Sequence, residues 1–457
     1  MQVIVPEQRL DVLADADVLV CGGGVGGIAS AVTAARHGAK VVLLERFPTL
    51  GGMATNALVN GWHRSDRQKM VIYGVVEEAA ERMRKGGPGG PWISQDISYP
   101  RVHETHWFDP EGARIVYHRM LREAGVQVIC HLSAGEPIME GARIRGVQVD
   151  TKRGRRAVLG KIVIDATGDG DIAYKAGVKW EYGRQEDGRV QGMTLMYSLR
   201  GMNEAVVSKE DWPAATRVAD LMKSMLEKGQ MPAFNYGGAR ASLGLSCSGR
   251  HHRFFWNMCP VAGNPLDEEE LTKLNEQARE AILQYIALWR KEMPGYENAD
   301  LNFTAFCMGV RESRRITGNK VLTEQDVVEA KKHTDAVGHG VWMVDIHDPK
   351  GTGHTTYTDQ KKNEMLRDGM SYHIPLNMAL NSQVKNLAVA CRAASTTHRS
   401  LASFRVQTHI MTLAQGVGTC AALALEGGSD MDQVDLKKLQ ATLKRDGAYI
   451  EDVPQGN

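Results

Sequence analysis

Residues 17–45, DVLVCGGGVGGIASAVTAARHGAKVVLLE, decide the fold. DVLVC (17–21) reads as a short apolar strand and GGGVGG as a turn. Residues 28–37 carry the small and apolar side chains of a helix packed closely on a sheet, and KVVLLE (40–45) reads as a second strand. Together they make one right-handed βαβ unit of about 30 residues, half of a Rossmann-like fold. Gly22, Gly24 and Gly27 satisfy G-x-G-x-x-G, which serves a tight turn, backbone approach to a pyrophosphate, and close packing of helix on strand. The helix begins near Gly26, and its free N–H groups and positive dipole end suit phosphates. Glu45, at the tip of the second strand, can accept both hydroxyls of a ribose and would repel a 2′-phosphate.

Working outward, Arg46 either lies over the adenine edge or is a solvated loop cation. TLGGMAT (49–55) brings a second glycine pair, Gly51 and Gly52, where a longer cofactor continuing toward a flavin needs close backbone approach. VQVIC, RIRGVQV and RAVLG, running into KIVIDATGDGD, make residues 126–171 β-rich. An amphipathic helix is predicted over 267–293, with Leu271, Leu274, Ala278, Ile282, Ile286 and Trp289 on one face. NLAVA (386–390) reads as another buried strand, and residues 410–425 as a buried helix of small residues.

A chain of 457 residues exceeds one ordinary core, and nucleotide-domain signals recur near residues 20, 165 and 390, so the expected fold is α/β: a Rossmann-like FAD-binding domain assembled from discontinuous segments, with an inserted α+β substrate domain. The segments are 1–60, 107–175 and 376–430 for the FAD-binding domain, 61–106 for a lid or substrate-domain segment, 176–375 for the substrate domain, and 431–457 for a C-terminal helix and tail. Net charge is +1 with 24% charged residues, which gives no field for nucleic acid or anionic lipid. The start, MQVIVPEQRL, lacks a secretory pattern and no uncharged apolar run reaches a membrane span, so a cytoplasmic protein is expected. Seven scattered cysteines without a C-x-x-C pair read as reduced thiols. HETH (103–106) and HH (251–252) lack metal-ligand spacing, so no metal is expected and a place in the substrate cavity is the other reading.

With GGMAT at Gly51, IDATGDGD at Ile164, GVRESRR at Gly309, DIH at Asp345, ACRAASTTHRSLASFR at Ala390 and AQGVGT at Ala414, the chain resembles the FAD-dependent oxidoreductases of the two-dinucleotide-binding-domain flavoprotein group. The resemblance spans about residues 17–428. It implies FAD as cofactor, with Gly51, Gly52, Met53 and Thr55, the Val128 backbone, Ala166, Thr167 and Gly168, and Arg392 along its path. Asp169 and Asp171 are read either as cofactor-side groups or as helix caps. Gly416, Val417 and Gly418 lack bulk, so their N–H groups are expected at the pyrimidine end of the flavin, with close helix packing as the other explanation. Cys391 departs from the family pattern, which has Gly before this Arg.

The protein must also hold a substrate against the flavin and move one proton. His398, beside Arg392 and Arg405, is the first candidate, and His347, flanked by Asp345 and Asp348, the second. Arg311, first after the FTAFCMG stretch read as a strand, is the candidate for an anionic substrate, with Arg314 and Arg315 in structural ion pairs. The expected activity is hydride transfer between flavin N5 and a small polar substrate, carboxylate-bearing molecules included. A separate electron donor or acceptor completes the cycle, and an oligomer is compatible with the sequence. A flavin monooxygenase and a non-redox dinucleotide-binding protein are the competing readings.

Overall fold

The structure, a computed structural model, describes residues 8–93, 105–203, 206, 224, 228, 254–257, 259–347, 349 and 366–455. The first strand is Val12–Cys21, longer than its apolar pattern implies. Strand Gly154–Asp165 runs parallel to it, pairing Val12 with Ala157 and Cys21 with Asp165, so backbone hydrogen bonds extend it where side chains do not. Helix Val25–Arg36 and strand Val41–Glu45 follow as the spacing predicts.

From one edge the sheet runs Gln127–Cys130, Val41–Glu45, Val12–Cys21, Gly154–Asp165, all parallel. The second half of Gly154–Asp165 then pairs in parallel with Leu387–Val389. Its first half pairs antiparallel with Arg143–Thr151, which pairs with Ala134–Glu140. This is an α/β fold with a Rossmann-type parallel sheet, and strands from three separated stretches of chain build it. The strand ends Cys21, Asp165 and Val389 are in register with one another. Ligands of open parallel sheets bind beyond these carboxyl ends.

Side chains divide into two cores. The larger joins the sheet to Trp62 through Met83 and to Ile316 through Ile374. The smaller runs from Met193 to Met308 and adds Leu58. Among the described residues, packing therefore carries 62–83, 316–346 and 366–374 with the sheet, whereas the sequence places 61–106 in a lid or substrate-domain segment and 176–375 in the substrate domain. Trp62 explains the first difference: its indole meets Phe108, and its Nε1 donates to Gln407 at 3.0 Å, on the last long helix. The amphipathic stretch is helix Glu268–Glu292, with Asp267 as N-cap accepting from Glu270 N–H. It buries Ile282, Tyr285, Ile286 and Trp289 in the smaller core.

Helix Gln407–Gly427 packs against Val25–Arg36. It is long and apolar enough to cross a membrane, but 89% of its most apolar window is buried inside the protein.

Candidate functional site

The glycine loop is shaped by contact. Gly22 has φ +112°, and a Cβ there would meet Ala166 O at 2.3 Å; at Gly26 it would meet Ala390 O at 1.9 Å. Gly24 differs, because φ is −69° and nothing lies within 4 Å of a Cβ built on it. It is the N-cap of helix Val25–Arg36, and no side chain caps that end. Open space in front of uncapped helix amides fits a phosphate group.

Neighbouring groups fix the loop. Gly51 N donates to Gly23 O at 2.8 Å and Gly52 approaches Gly24, so the second glycine pair docks on the first, with Met53 partly exposed beside it. Thr55 is a correction: it is fully buried and its hydroxyl donates to Leu50 O at 2.6 Å, so it locks the turn instead of facing the groove. Glu45 accepts from Gly23 N–H at 2.6 Å and from Phe47 N–H at 2.8 Å. Burial pushes its carboxyl pKa up while those amides oppose the shift. Its oxygens keep lone pairs for ribose hydroxyls. Arg46 is exposed, 4.7 Å over the Phe47 ring, which meets Phe306 edge-on at 5.2 Å. Val128 lies on the edge strand opposite Leu43.

The facing wall starts at Asp165, fully buried at the end of its strand. It accepts from Thr167 N–H and Oγ1 and from Ala173 N–H, and burial raises its pKa to about 6. The Thr167 hydroxyl also accepts from Asp171 N–H at 3.0 Å, so this side chain is turned into the wall and only its backbone, with Ala166 and Gly168, remains for a cofactor. Asp165 and Thr167 thus serve helix Asp171–Lys175, while Asp169 and Asp171 do not cap it. Asp169 pairs with Arg392 and accepts from Ser313 Oγ at 2.5 Å; Asp171 pairs with Arg314 at 2.8 Å. Cys391 is buried, and desolvation pushes its thiol up to about 12.

Gly416, Val417 and Gly418 are a second correction. They sit in the middle of Gln407–Gly427, where their N–H groups belong to the helix ladder. A Cβ at Gly416 would meet Val337 at 2.6 Å and one at Gly418 would meet Ser30 O at 2.3 Å. Close packing on two neighbours accounts for both glycines. Gln415 accepts from Val75 N–H at 3.1 Å, again away from the strand ends.

Beyond Ser313 the chain opens a second cluster. The FTAFCMG stretch is not one strand: Asp300–Thr304 ends there, and Phe306 N–H turns to Asn56 O. Gly309 pairs with Thr194 as an isolated bridge, which places Arg311. Its Nη1 donates to Gly192 O at 2.7 Å and Thr194 Oγ1 at 2.6 Å, and its Nη2 to Asn257 Oδ1 at 3.3 Å. Desolvation first, then repulsion from Arg405, lowers its pKa to about 9. Glu312, wholly buried, pairs with Arg315 and with His398 Nδ1 at 2.8 Å, and accepts from Gln191 N–H at 3.0 Å. His398 begins helix His398–Phe404, held by the Thr397 cap. Asp345 lies 3.5 Å from Arg405 and 3.6 Å from His347. His63 stacks on Trp342 at 3.7 Å, and burial lowers its pKa to about 4 against the pull of Asp345.

The cluster therefore brings together Arg311, His398, His347 and Arg405. Sequence reading missed Glu312 as the anchor of His398, although it stands inside GVRESRR, and missed His63, which no motif marks. Asp348, His103, His251, His252 and Cys247 lie outside the described residues.

Residues 17–443 match the protein family described as FAD dependent oxidoreductase. The chain is 24% identical over 260 residues to a digeranylgeranylglycerophospholipid reductase of Methanoculleus marisnigri, covering 52% of this chain and 57% of that protein. It is 27% identical over 179 residues to protein FixC of Azotobacter vinelandii, covering 35% and 39%. These matches span less than two thirds of either relative. Among solved structures, a geranylgeranyl bacteriochlorophyll reductase-like protein of Thermoplasma acidophilum superposes with a TM-score of 0.46 at 14% identity, covering 94% of this chain and 84% of that one. With the family match running through both walls of the groove, the chain belongs to the FAD dependent oxidoreductase family: it is an enzyme, and its cofactor is FAD.

Proposed function

We propose that this enzyme transfers a hydride between FAD and a small polar, carboxylate-bearing substrate, with His398 moving the substrate proton. The observation that carries the reading is the His398–Glu312 pair, which stands one residue from Ser313 and so from the Asp169–Arg392 wall of the groove.

On this reading the Gly24 opening takes the pyrophosphate, Glu45 the ribose, and the backbone of residues 166–168 with Arg392 the opposite side. Bound there, FAD supplies at N5 a two-electron acceptor or donor for a substrate carbon. Everything else falls to the chain. Glu312 accepts from His398 Nδ1, which fixes the ring and leaves Nε2 to exchange the proton of a substrate hydroxyl, amine or acidic carbon. Arg311 holds the substrate, and Asp345 orients His347 and Arg405 beside it. A separate electron partner closes the cycle. Six described cysteines are free, which supports a reducing cytoplasm as the setting.

The test is a panel of small hydroxy-, amino- and unsaturated carboxylates added without oxygen to the purified, FAD-loaded protein or its chemically reduced form. Bleaching or recovery of the visible flavin band by members of the panel is expected. NADPH-driven oxygen uptake with a hydroxylated product would replace this reading by a monooxygenase.

A further inference from the structure

Phe306 is the most exposed large apolar side chain among the described residues, at 63%, although the turn that carries it is fixed. Its neighbours Ala305 and Met308 are buried in the smaller core. Phe306 N–H donates to Asn56 O at 2.8 Å, and Cys307 N–H donates to the same oxygen at 3.3 Å. Asn56 is buried and accepts from Thr49 Oγ1 at 2.8 Å, so residues 305–308 hang on the loop that carries the second glycine pair. A lone exposed phenyl ring is ordinary, so its place decides what it does. Phe47 N–H donates to Glu45 Oε1 at 2.8 Å. The Phe47 ring meets Phe306 at 5.2 Å and 89°, and the Arg46 guanidinium lies 4.7 Å over Phe47. The Cys307 thiol, which burial pushes up to about 11, stands in the fields of Arg46 and Glu45 on one wall and of Arg392 and Asp169 on the other. The turn is therefore at the groove, with the Phe306 ring one side chain away from Glu45.

We infer that the Phe306 ring stacks on the adenine of FAD, so that a side chain beside the smaller core closes the adenosine half of a cofactor held by the larger. The inference rests on the reading of Glu45 as the ribose acceptor and of the Gly24 opening as the pyrophosphate site. In FAD the adenine is joined to that ribose on the side away from the pyrophosphate, so a ring next to Phe47 meets the base and not the isoalloxazine. A purine is planar and poorly hydrated on its faces, and it stacks on aromatic rings and guanidiniums without regard to its edge pattern. Phe306, Phe47 and Arg46 present such surfaces together beside Glu45. The two rings stand at right angles, so a base laid flat on one meets the other at its edge, and both arrangements are favourable between π-systems.

The test reads FAD binding and needs no turnover, so failure of the proposed proton transfer would leave its result intact. The apoproteins of wild type, Phe306→Ala, Phe306→Leu and Phe306→Tyr are titrated with FAD, following flavin fluorescence. Phe306→Ala is expected to bind FAD about ten-fold more weakly, within the range for loss of one base–aromatic stack. Phe306→Tyr stays within two-fold of wild type, and Phe306→Leu, which keeps bulk without an aromatic face, falls between. At saturating FAD the visible flavin band of Phe306→Ala matches wild type, and its apoprotein unfolds at the same urea concentration. The inference is overturned if Phe306→Ala or Phe306→Leu binds FAD within two-fold of wild type. It is also overturned if the flavin band shifts, which would give the ring to the isoalloxazine, or if the urea midpoint falls together with the affinity, which would make the ring structural. Gly24→Ala, titrated alongside, separates the two readings: weaker FAD binding in Gly24→Ala with none lost in Phe306→Ala strikes the stack alone, and wild-type binding in both strikes the groove assignment as well.

Discussion

At the scale of single residues, two glycines two positions apart do opposite things. Gly24→Ala places a methyl group where no protein atom stands within 4 Å, at a φ any residue accepts. Denaturant melts of the apoprotein are expected to stay within about 0.5 kcal/mol of wild type, as for a surface substitution, while FAD affinity falls at least ten-fold. Gly26→Ala drives its methyl group against Ala390 O, so the same melts should show a loss of about 1–3 kcal/mol. Gly24→Ala binding FAD like wild type would show that the opening above it is not the phosphate site. G-x-G-x-x-G marks Gly24 and leaves Gly26 at one of its free positions, because a pattern records where glycine recurs and not what lies against it. His398 was legible as a histidine near the nucleotide strand end. Its partner was not, since Glu312 lies 86 positions away and reads locally as one more charge in an arginine-rich run.

At the scale of elements, the βαβ unit was readable from its turn to its terminal acid because these are local, while the start of its first strand at Val12 was not, since backbone pairing with Gly154–Asp165 sets it. The helix Gln407–Gly427 shows the limit of local reading. Small residues at 416 and 418 suit either a cofactor or a neighbouring helix, and the choice depends on residues 30, 33 and 337. Here they fit against Ser30, Thr33 and Val337, which sets how closely Gln407–Gly427 meets Val25–Arg36. Gly418→Ala puts a Cβ 2.3 Å from Ser30 O. It is expected to cost about 1–3 kcal/mol of stability in urea melts, by overpacking a well-filled contact, and to leave bleaching of the bound flavin at the wild-type rate. A variant of wild-type stability with slowed bleaching would return this glycine to the flavin site. The FTAFCMG stretch failed for a related reason: its apolar residues suggest a strand, but Asn56 O draws Phe306 N–H out of line.

For the whole molecule, burial of histidines sets a pH dependence that composition does not reveal. Desolvation lowers His63 and His373 to about 4, His409 to about 3 and His339 to about 2. These imidazoles are neutral when folded and titrate near 6.5 when unfolded. The unfolded chain therefore binds more protons below 6.5, and stability is lost as pH falls from 6.5 toward 4, by about 1.4 kcal/mol per pH unit for each fully linked group. Asp165 acts in the opposite sense, because its folded pKa of about 6 lies above the unfolded value, so its share of stability grows as pH falls through that range. Glu45 and Asp171, also raised by burial, act in the same sense as Asp165, and the four strongly lowered imidazoles outweigh these carboxyls. Urea melts at pH 7.5, 6.0 and 5.0 should show steadily lower stability, and an unchanged or rising value at pH 5.0 would mean these rings are hydrated.

The two cores meet at the site: the groove lies at the strand ends of the larger, Thr194 and Asn257 come from chain beside the smaller, and GVRESRR connects them. The central claim is that His398 and Glu312 serve the chemistry at that junction. Its most direct measurement is the rate of anaerobic flavin bleaching by an active carboxylate, compared among wild type, His398→Asn and Glu312→Gln at equal FAD content. The account predicts slowing of about 100-fold or more in His398→Asn, within the range of general acid–base catalysis, and a smaller loss in Glu312→Gln. Wild-type bleaching rates in His398→Asn, with FAD fully bound, would contradict it.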